Sequence, residues 1–184
     1  MTEEIIIAGF GGQGVLSMGK ILAYSGIMQG QEVSWMPSYG PEMRGGTANV
    51  SVILSDDRIC SPILNEFDTA IVLNQQSMDK FEKTVKPGGL LLYDPNGITH
   101  PPTRKDINIA VIEGAKEASA LKNRKIFNMV VLGAYLKVHP IVKMDNVHKG
   151  LEKSLPQRHH KLIPLNEEAI IVGGNKVQMV QSVN

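Results

Sequence analysis

The stretch EIIIAGFGGQGV at residues 4–15 joins a short β-branched run to a turn that is rich in glycine. Residues 5–8 suit a strand buried on both faces of a parallel sheet, because no polar side chain interrupts the run. Gly9, Gly11 and Gly14 follow in the spacing G-x-G-x-x-G, and apolar residues then recur at helical spacing. A strand, a glycine turn and a helix in this order open a βαβ unit, so the stretch predicts an α/β fold.

The next elements along the chain complete this unit and add a hairpin. Residues 32–36 are predicted to be the second strand of the βαβ unit, after a crossover of the usual length. The loop at residues 38–46, SYGPEMRGG, has too little periodicity for a helix or a strand. Apolar side chains then alternate over residues 47–54, and the Asp56-Asp57 pair turns the chain into residues 58–63. That pattern predicts a β-hairpin.

The rest of the chain alternates between predicted strands and helices. Strands are expected at residues 67–73, 89–93 and 107–112, and helices at residues 15–29, 77–85, 115–121, 126–138, 144–155 and 166–172, the last with Asn166 as its N-cap. No linker or repeat separates them, so residues 1–184 are predicted to form a single domain. The expected architecture is a three-layer α/β/α sandwich, with a Rossmann-like, mostly parallel sheet, an inserted β-hairpin and a helical C-terminal region.

Composition and charge exclude several classes of protein. With 42% apolar residues and a net charge of +1, the chain is neither disordered nor an electrostatic binder of nucleic acid, which needs a clustered excess of Lys and Arg. Cys60 is the only cysteine, so thiolates of this chain alone hold neither zinc nor an iron–sulfur cluster. No apolar stretch reaches the roughly 18 residues of a membrane span, and the acidic start does not resemble a signal peptide. We expect a cytoplasmic protein without a membrane or metal partner.

The glycine turn can bind an anion. Backbone N–H groups at a helix start, with a helix dipole of about half a positive charge, favour phosphate or carboxylate. A dinucleotide enzyme also needs an acid at the end of its second strand, where Trp35 and Met36 stand instead. The alternatives at this point are a phosphate-binding turn and a tight turn that only joins a strand to a helix. We expect Trp35 and Met36 to belong to an apolar patch that meets a neighbouring subunit.

The second glycine loop carries Arg44, at the same edge of the predicted sheet as the first turn. Its planar guanidinium can hold a phosphate or a carboxylate through two hydrogen bonds, so Arg44 is a candidate anion ligand. The alternative is an ion pair with Glu42 or a solvated arginine. His159 and His160 stand in a basic run without carboxylates, which is typical of a solvated or partner-facing loop. No catalytic group of Ser, Cys or His emerges from the sequence.

Two motifs carry a resemblance to a known family. AGFGGQGV at residues 8–15 and SYGPEMRGGTANVSVILSDDRICSP at residues 38–62 resemble the gamma subunit of the 2-oxoacid:ferredoxin oxidoreductases. The likeness extends through residues 67–94 and NMVVLGA at residues 128–134. The second loop differs from the HGxAQRGG of the related indolepyruvate oxidoreductases, which favours the branch that acts on 2-oxoglutarate or branched-chain 2-oxoacids.

This resemblance implies a subunit of an oxidoreductase and not an enzyme that acts alone. In the family, the complex oxidatively decarboxylates 2-oxoglutarate, pyruvate or ketoisovalerate to an acyl-CoA and reduces ferredoxin. Thiamine diphosphate lies between alpha and beta subunits, iron–sulfur clusters lie on partner chains that include a ferredoxin-like subunit, and the gamma subunit contributes to coenzyme A binding and assembly. No catalytic residue and no metal ligand are implied here. The implied cofactor-binding residues are Gly11, Gly12, Gln13, Gly14, Tyr39, Arg44, Gly45 and Gly46.

Two other functions stay open at the level of sequence. A stand-alone oxidoreductase domain would bind NAD or FAD through residues 9–14, and a purely architectural subunit would bind no ligand at all. The sequence also leaves open whether the isolated chain forms a homodimer.

Overall fold

The computed structural model describes residues 1–38 and 47–183, which contain seven strands and six α-helices. The strands are β1 (Thr2–Phe10), β2 (Glu32–Ser38), β3 (Thr47–Ser55), β4 (Phe67–Val72), β5 (Val85–Tyr93), β6 (Asn108–Val111) and β7 (Gln178–Gln181). The helices are α1 (Val15–Met28), α2 (Gln75–Phe81), α3 (Gly114–Ala120), α4 (Phe127–Val138), α5 (Met144–Ser154) and α6 (Ile163–Lys176). Each predicted helix overlaps one of these, and the strands predicted at residues 67–73, 89–93 and 107–112 are confirmed.

All seven strands form one mixed sheet in the order β2-β3-β1-β4-β5-β6-β7. β1, β4, β5 and β6 pair in parallel, as alternating strands and helices require. β3 runs antiparallel to both β1 and β2, and β7 runs antiparallel to β6. All strands except β3 and β7 therefore point the same way, in agreement with the predicted, mostly parallel sheet.

β1 is an interior strand that is buried on both faces. Ile5 and Ile7 face one apolar cluster, whereas Ile6 and Ala8 face the other, and none of these side chains is more than 2% exposed. β3 and β4 flank the strand, so its backbone groups are paired on both sides. This position explains why the sequence shows a continuous apolar run there and no alternation.

The helices cover the two faces of the sheet unequally. α1, α3, α4, α5 and α6 lie on one face and form the larger apolar cluster with the strands. On the other face the smaller cluster includes Met78 and Phe81, which belong to α2. These two helical layers and the sheet between them make the predicted three-layer sandwich.

α4 is buried along most of its length because α6 lies over it. A Cβ added at Gly133 would overlap the carbonyl oxygen of Ile170, and one added at Gly173 would overlap the carbonyl oxygen of Val130. Only glycine allows the two backbones to approach so closely. The distance between α4 and α6 is therefore set by main-chain contact.

The predicted hairpin of residues 47–54 and 58–63 is wrong. Residues 58–63 form no strand, and β3 pairs instead with β2 on one side and β1 on the other. Ile63 is 72% exposed and Pro62 has no backbone N–H, so this segment offers neither a buried face nor a full set of donors for strand pairing. The hairpin of the sheet is formed by β2 and β3.

Three smaller predictions also need correction. β2 is parallel to β1 but is not its neighbour, because β3 lies between them, so the crossover skips one strand position. α6 begins at Ile163 and not at Asn166, whose side-chain amide donates to the Leu162 carbonyl oxygen at 2.9 Å from inside the helix. Trp35 packs on the larger apolar cluster whereas the next residue, Met36, lies on the opposite face of β2, so the two do not form one patch.

Candidate functional site

The glycine turn between β1 and α1 is held by the side chain of Gln13. Its amide oxygen accepts the Phe10 backbone N–H at 2.6 Å, and its amide nitrogen donates to the Leu73 carbonyl oxygen at 3.2 Å. Gln13 thereby joins the end of β1 to the residue that follows β4. Within the same turn Gly12 has a φ of +93°, a conformation that residues with a side chain rarely adopt. The turn is thus held by contacts within this chain.

Gly14 ends the turn and packs against Asn128 near the start of α4. Its φ of +75° lies in the left-handed region, and an added Cβ would stand 2.5 Å from the Asn128 Nδ2 atom. The same Nδ2 atom donates to the Gly14 carbonyl oxygen at 3.2 Å. The third glycine of the motif therefore makes room for a side chain that lies 114 residues further along the chain.

The start of α1 follows directly after Gly14, which lines the same space as Gly12 and Gln13. No side chain of the described residues caps this helix start, and no acidic residue stands in its first turn. An anion placed there would accept the backbone N–H groups and would be favoured by the helix dipole.

A cleft of about 910 Å³ opens at the carboxyl ends of β1, β4, β5 and β6, and we call it the carboxyl-edge cleft. Its lining includes residues 12–14 of the glycine turn, residues 94–97 after β5, and parts of the chain between Glu113 and Phe127. In open α/β sheets ligands bind at this edge. The volume lies within the roughly 300–1,000 Å³ that ligand sites occupy.

Basic side chains outnumber acidic ones along the carboxyl-edge cleft. Lys116, Arg124 and Lys125 line it together with Asp94 and Glu113. Glu113 is paired with Lys116 at 2.7 Å. Arg124 and Lys125 are exposed and make no ion pair with any residue that the structure describes. The cleft therefore favours an anionic ligand.

Asp94, which is only 2% exposed, is a structural acid of this cleft. Its carboxylate accepts the backbone N–H groups of Asn96 at 2.8 Å and Ala115 at 3.0 Å, so it supports the start of α3. Burial raises the pKa of Asp94, and the N–H groups of Asn96 and Ala115 oppose that rise. Asp94 makes no ion pair with Arg124 or Lys125, and its carboxylate instead holds the backbone around it.

A second cleft, of about 610 Å³, lies at the amino ends of the same parallel strands, and we call it the amino-edge cleft. Glu3 is 5% exposed; it accepts the Thr69 hydroxyl at 2.6 Å and lies 3.1 Å from the Nε2 atom of His139. The bond to Glu3 raises the pKa of His139 by more than burial lowers it.

Lys86 forms the other ionic group of the amino-edge cleft. Its ammonium lies 2.6 Å from Glu4 and 2.7 Å from Asp68, and Asp68 also accepts the Glu4 backbone N–H at 2.9 Å. Burial lowers the pKa of Lys86, but the bonds to Asp68 and Glu4 outweigh it and the net shift is upward. The carboxylates of this cleft are thus bound by groups of the same chain.

The residues that the sequence singles out fall into two groups. Gly11, Gly12, Gln13 and Gly14 lie together in the turn, and the last three line the carboxyl-edge cleft. The second group lies outside the described residues, so its roles stay predictions: Tyr39, Arg44, Gly45 and Gly46.

The two adjacent histidines take part in local contacts. His159 Nε2 lies 3.2 Å from the Arg158 Nε atom, and His160 Nε2 lies 3.0 Å from the Leu155 carbonyl oxygen. Over residues 1–38 and 47–183, no group of three His, Cys, Asp or Glu residues is arranged to hold a metal ion. In the same part of the chain, every helix is too short or too polar to cross a bilayer.

Sequence reasoning missed Arg124, Lys125 and Asn128. The two cations stand in a short 3-10 turn immediately before α4, after Lys122, which leaves α3 with a φ of +55°. Cations at the start of a helix oppose its dipole, so the run KNRK at residues 122–125 before an apolar helix was a signal that these charges serve another purpose. The contact of Asn128 with Gly14 had no such local signal.

Comparison with known proteins gives two kinds of relative. The 2-oxoglutarate synthase subunit KorC of Methanocaldococcus jannaschii is 33% identical over 160 residues, which are 85% of this chain and 86% of that protein. The ketoisovalerate oxidoreductase subunit VorA of Methanothermobacter thermautotrophicus is 51% identical over 91 residues, 50% of this chain. Against two such ketoisovalerate subunits the match spans only 19% and 24% of the relative's length.

Solved structures share the fold over nearly the whole chain. The gamma subunit of a keto/oxoacid ferredoxin oxidoreductase from Geobacter sulfurreducens superposes with a TM-score of 0.81 at 28% identity, over 96% of each chain. A 2-oxoglutarate:ferredoxin oxidoreductase from Magnetococcus marinus, solved with 2-oxoglutarate, coenzyme A and succinyl-CoA, gives a TM-score of 0.84 at 24% identity. That match covers 95% of this chain and 30% of the other, and it shows the fold alone.

The family of pyruvate ferredoxin/flavodoxin oxidoreductases matches residues 4–175. This range contains the glycine turn, the carboxyl-edge cleft and α4, and it leaves out only the two ends of the 184-residue chain. The chain therefore belongs to the pyruvate ferredoxin/flavodoxin oxidoreductase family.

Proposed function

We propose that this chain is the gamma subunit of a 2-oxoacid:ferredoxin oxidoreductase and that its carboxyl-edge cleft binds coenzyme A. The complex oxidatively decarboxylates a 2-oxoacid, transfers the acyl group to coenzyme A and passes the electrons to ferredoxin. The relatives are named for 2-oxoglutarate and ketoisovalerate, so we propose a substrate of that class. One observation carries the assignment of the cleft: Gly14 before the start of α1, which no side chain of the described residues caps, and two cations without an ion-pair partner among those residues line the same space.

The residues of the cleft fit the charged part of coenzyme A. That molecule carries a pyrophosphate and a separate phosphate on its ribose, so it needs two places for negative charge. The glycine turn exposes backbone close to the start of α1, which suits the pyrophosphate. Arg124 and Lys125 suit a phosphate because both present charged donors at the surface of the cleft. A protein of the same fold has been solved with coenzyme A, which makes it the first ligand to test.

Each residue of the proposed site has a separate task. Gly11 and Gly12 let a phosphate approach the backbone, and Gln13 holds the turn in shape through Phe10 and Leu73. The second loop, with Tyr39, Arg44, Gly45 and Gly46, is proposed to bring a guanidinium to the same ligand. When it is bound, coenzyme A supplies the thiol that accepts the acyl group. This chain binds and orients its charged end and supplies no catalytic residue.

The remaining chemistry is assigned to partner chains. We propose alpha and beta subunits that hold thiamine diphosphate, and a ferredoxin-like subunit that holds iron–sulfur clusters. Clusters are usually bound by four cysteines, whereas Cys60 is the only cysteine of this sequence and is exposed.

The first test is a double variant, Arg124→Ala with Lys125→Ala, in the assembled complex. Removing two charged donors is expected to raise the Michaelis constant for coenzyme A about fivefold and to leave that for the 2-oxoacid unchanged, since exposed charge pairs contribute about 1 kcal/mol in total. Steady-state kinetics with each substrate varied in turn measures both constants. Arg44→Ala should act in the same direction.

The matched control removes the same charge elsewhere. Lys149 and Lys153 are exposed on α5 and line neither cleft, so Lys149→Ala with Lys153→Ala should change neither constant. Equal constants in both double variants would contradict the proposal. Tight binding of NAD or FAD by the isolated chain would instead favour a stand-alone nucleotide-binding domain.

A further inference from the structure

Asn128 is a buried polar residue on α4, whose first residue, Phe127, lines the carboxyl-edge cleft. It is 8% exposed, and it is the only one of the residues from Asn128 to Leu136, all buried, with a polar amide side chain. Its Nδ2 atom donates to the Gly14 carbonyl oxygen at 3.2 Å. A buried amide is retained in an apolar helix only where its hydrogen bonds are satisfied.

The amide fills the space that a side chain of Gly14 would need. A Cβ built on Gly14 would stand 2.5 Å from Nδ2, 2.7 Å from Cγ and 2.9 Å from Cβ of Asn128. The contact is therefore close along the whole side chain and does not involve the amide tip alone. Gly14 is in turn the N-cap of α1, directly before its first residue, so its orientation sets the direction of the first N–H groups of that helix.

The same segment of chain carries the two cations. Arg124 and Lys125 precede α4 in a 3-10 turn, and the Lys125 backbone N–H is held by the Asn123 side chain at 3.0 Å. Asn128 follows within the first turn of α4, and Phe127 between them lines the cleft. The hydrogen bond from Asn128 thus connects the wall that carries the cations to the wall that carries the glycine turn.

We infer that Asn128 is a positioning residue, which holds the glycine turn and the Arg124–Lys125 segment at the separation that the two phosphate groups of the ligand require. The inference rests on the proposed binding of coenzyme A in this cleft. Asn128 acts through Gly14 and the start of α1, and it need not touch the ligand. Substitution of a purely structural residue lowers stability alone. Substitution of a positioning residue also weakens ligand binding, and it does so by more than another substitution with the same loss of stability.

The test is Asn128→Leu in the assembled complex, with Thr69→Val as the matched control. Leucine keeps the volume but removes the donor, so the Michaelis constant for coenzyme A is expected to rise about tenfold, while that for the 2-oxoacid keeps its value. Thr69→Val removes a buried hydrogen bond to Glu3 in the amino-edge cleft. It is expected to lower the melting temperature to a similar degree without changing either constant.

Asn128→Asp serves if the leucine variant does not fold. Aspartate keeps the shape but replaces the donor by an acceptor facing the Gly14 carbonyl, so it should raise the Michaelis constant for coenzyme A at neutral pH. Amide exchange at residues 12–17 should also be faster than in the unchanged chain. If either variant lowers the melting temperature but leaves the Michaelis constant for coenzyme A unchanged, the positioning role is overturned and the proposed function stands. An unchanged constant in the Arg124–Lys125 double variant would overturn the proposed function and this inference with it.

Discussion

The two clefts stand at opposite ends of the same parallel strands and differ in what their charges contact. In the amino-edge cleft, Glu3 and Asp68 accept bonds from groups of the same chain, among them Thr69, Lys86 and the Glu4 N–H. In the carboxyl-edge cleft, the cations of the α3–α4 connection have no acidic partner among the described residues and the start of α1 has no side-chain cap. A charged cleft is therefore a candidate site when its charges are unpaired, and a part of the framework when they are paired.

Predictions that separate the clefts begin with the largest expected effect. Gly14→Ala places a methyl group against Asn128 and forces a left-handed φ on a residue with a side chain. Strain and overpacking together should lower the free energy of unfolding by about 3 kcal/mol. Urea denaturation of the isolated chain measures this value.

Gly30 provides the comparison for that substitution. It also has a positive φ, of +87°, but an added Cβ would meet no atom within 4 Å. Gly30→Ala should therefore cost only the backbone strain, about 1 kcal/mol. Equal losses in the two variants would mean that the packing of Asn128 against the glycine turn contributes nothing.

A smaller effect is expected from the ionic group of the amino-edge cleft. Lys86→Met keeps the aliphatic stem but leaves Glu4 and Asp68 without their shared cation. We expect a loss of about 1 kcal/mol, reduced by solvent because the Lys86 side chain is 35% exposed. The Michaelis constants for both substrates should not change, since the charged groups of this cleft are bound by one another and by groups of the same chain. A raised constant for coenzyme A would remove the functional distinction between the two clefts.

The smallest effect concerns His139 and depends on pH. The bond to Glu3 raises the pKa of His139 in the folded state above the unfolded value of 6.5, so its stabilising contribution is complete below that value and is lost as the pH rises through the folded pKa. His139→Gln should therefore cost about 0.5 kcal/mol more at pH 6 than at pH 9, a small figure because the ring is 41% exposed.

Denaturation of His139→Gln at both pH values measures the difference. A cost that grows with pH would show that the folded state holds His139 in its neutral form.

Local signals explain how far the sequence could predict this fold. The apolar run of β1 and the glycines after it are contiguous, so strand, turn and helix could be predicted together. The partner of β3 is not a local property, because alternation shows that a strand has a buried face but not which strand lies beside it. For this reason the sequence wrongly predicted that residues 58–63 pair with β3.

The candidate site likewise combines residues that a local motif predicts with residues that only the fold brings together. Gly12, Gln13 and Gly14 were predicted from one motif and do line the carboxyl-edge cleft. Asn128 reaches that motif across 114 residues, through the packing of α4 on the sheet, and no spacing in the sequence encodes such a contact. Arg124 and Lys125 were visible as a basic run, but only the fold shows that the run faces the glycine turn.

The glycine contact between α4 and α6 has a consequence for how this protein tolerates change. With main chain resting on main chain at Gly133 and Gly173, apolar side chains elsewhere in that layer can be exchanged without moving the helices apart. The contact of Asn128 with Gly14 should then keep its geometry when side chains of the surrounding core are substituted. Variation should accumulate around those two glycines while the geometry that they fix stays constant.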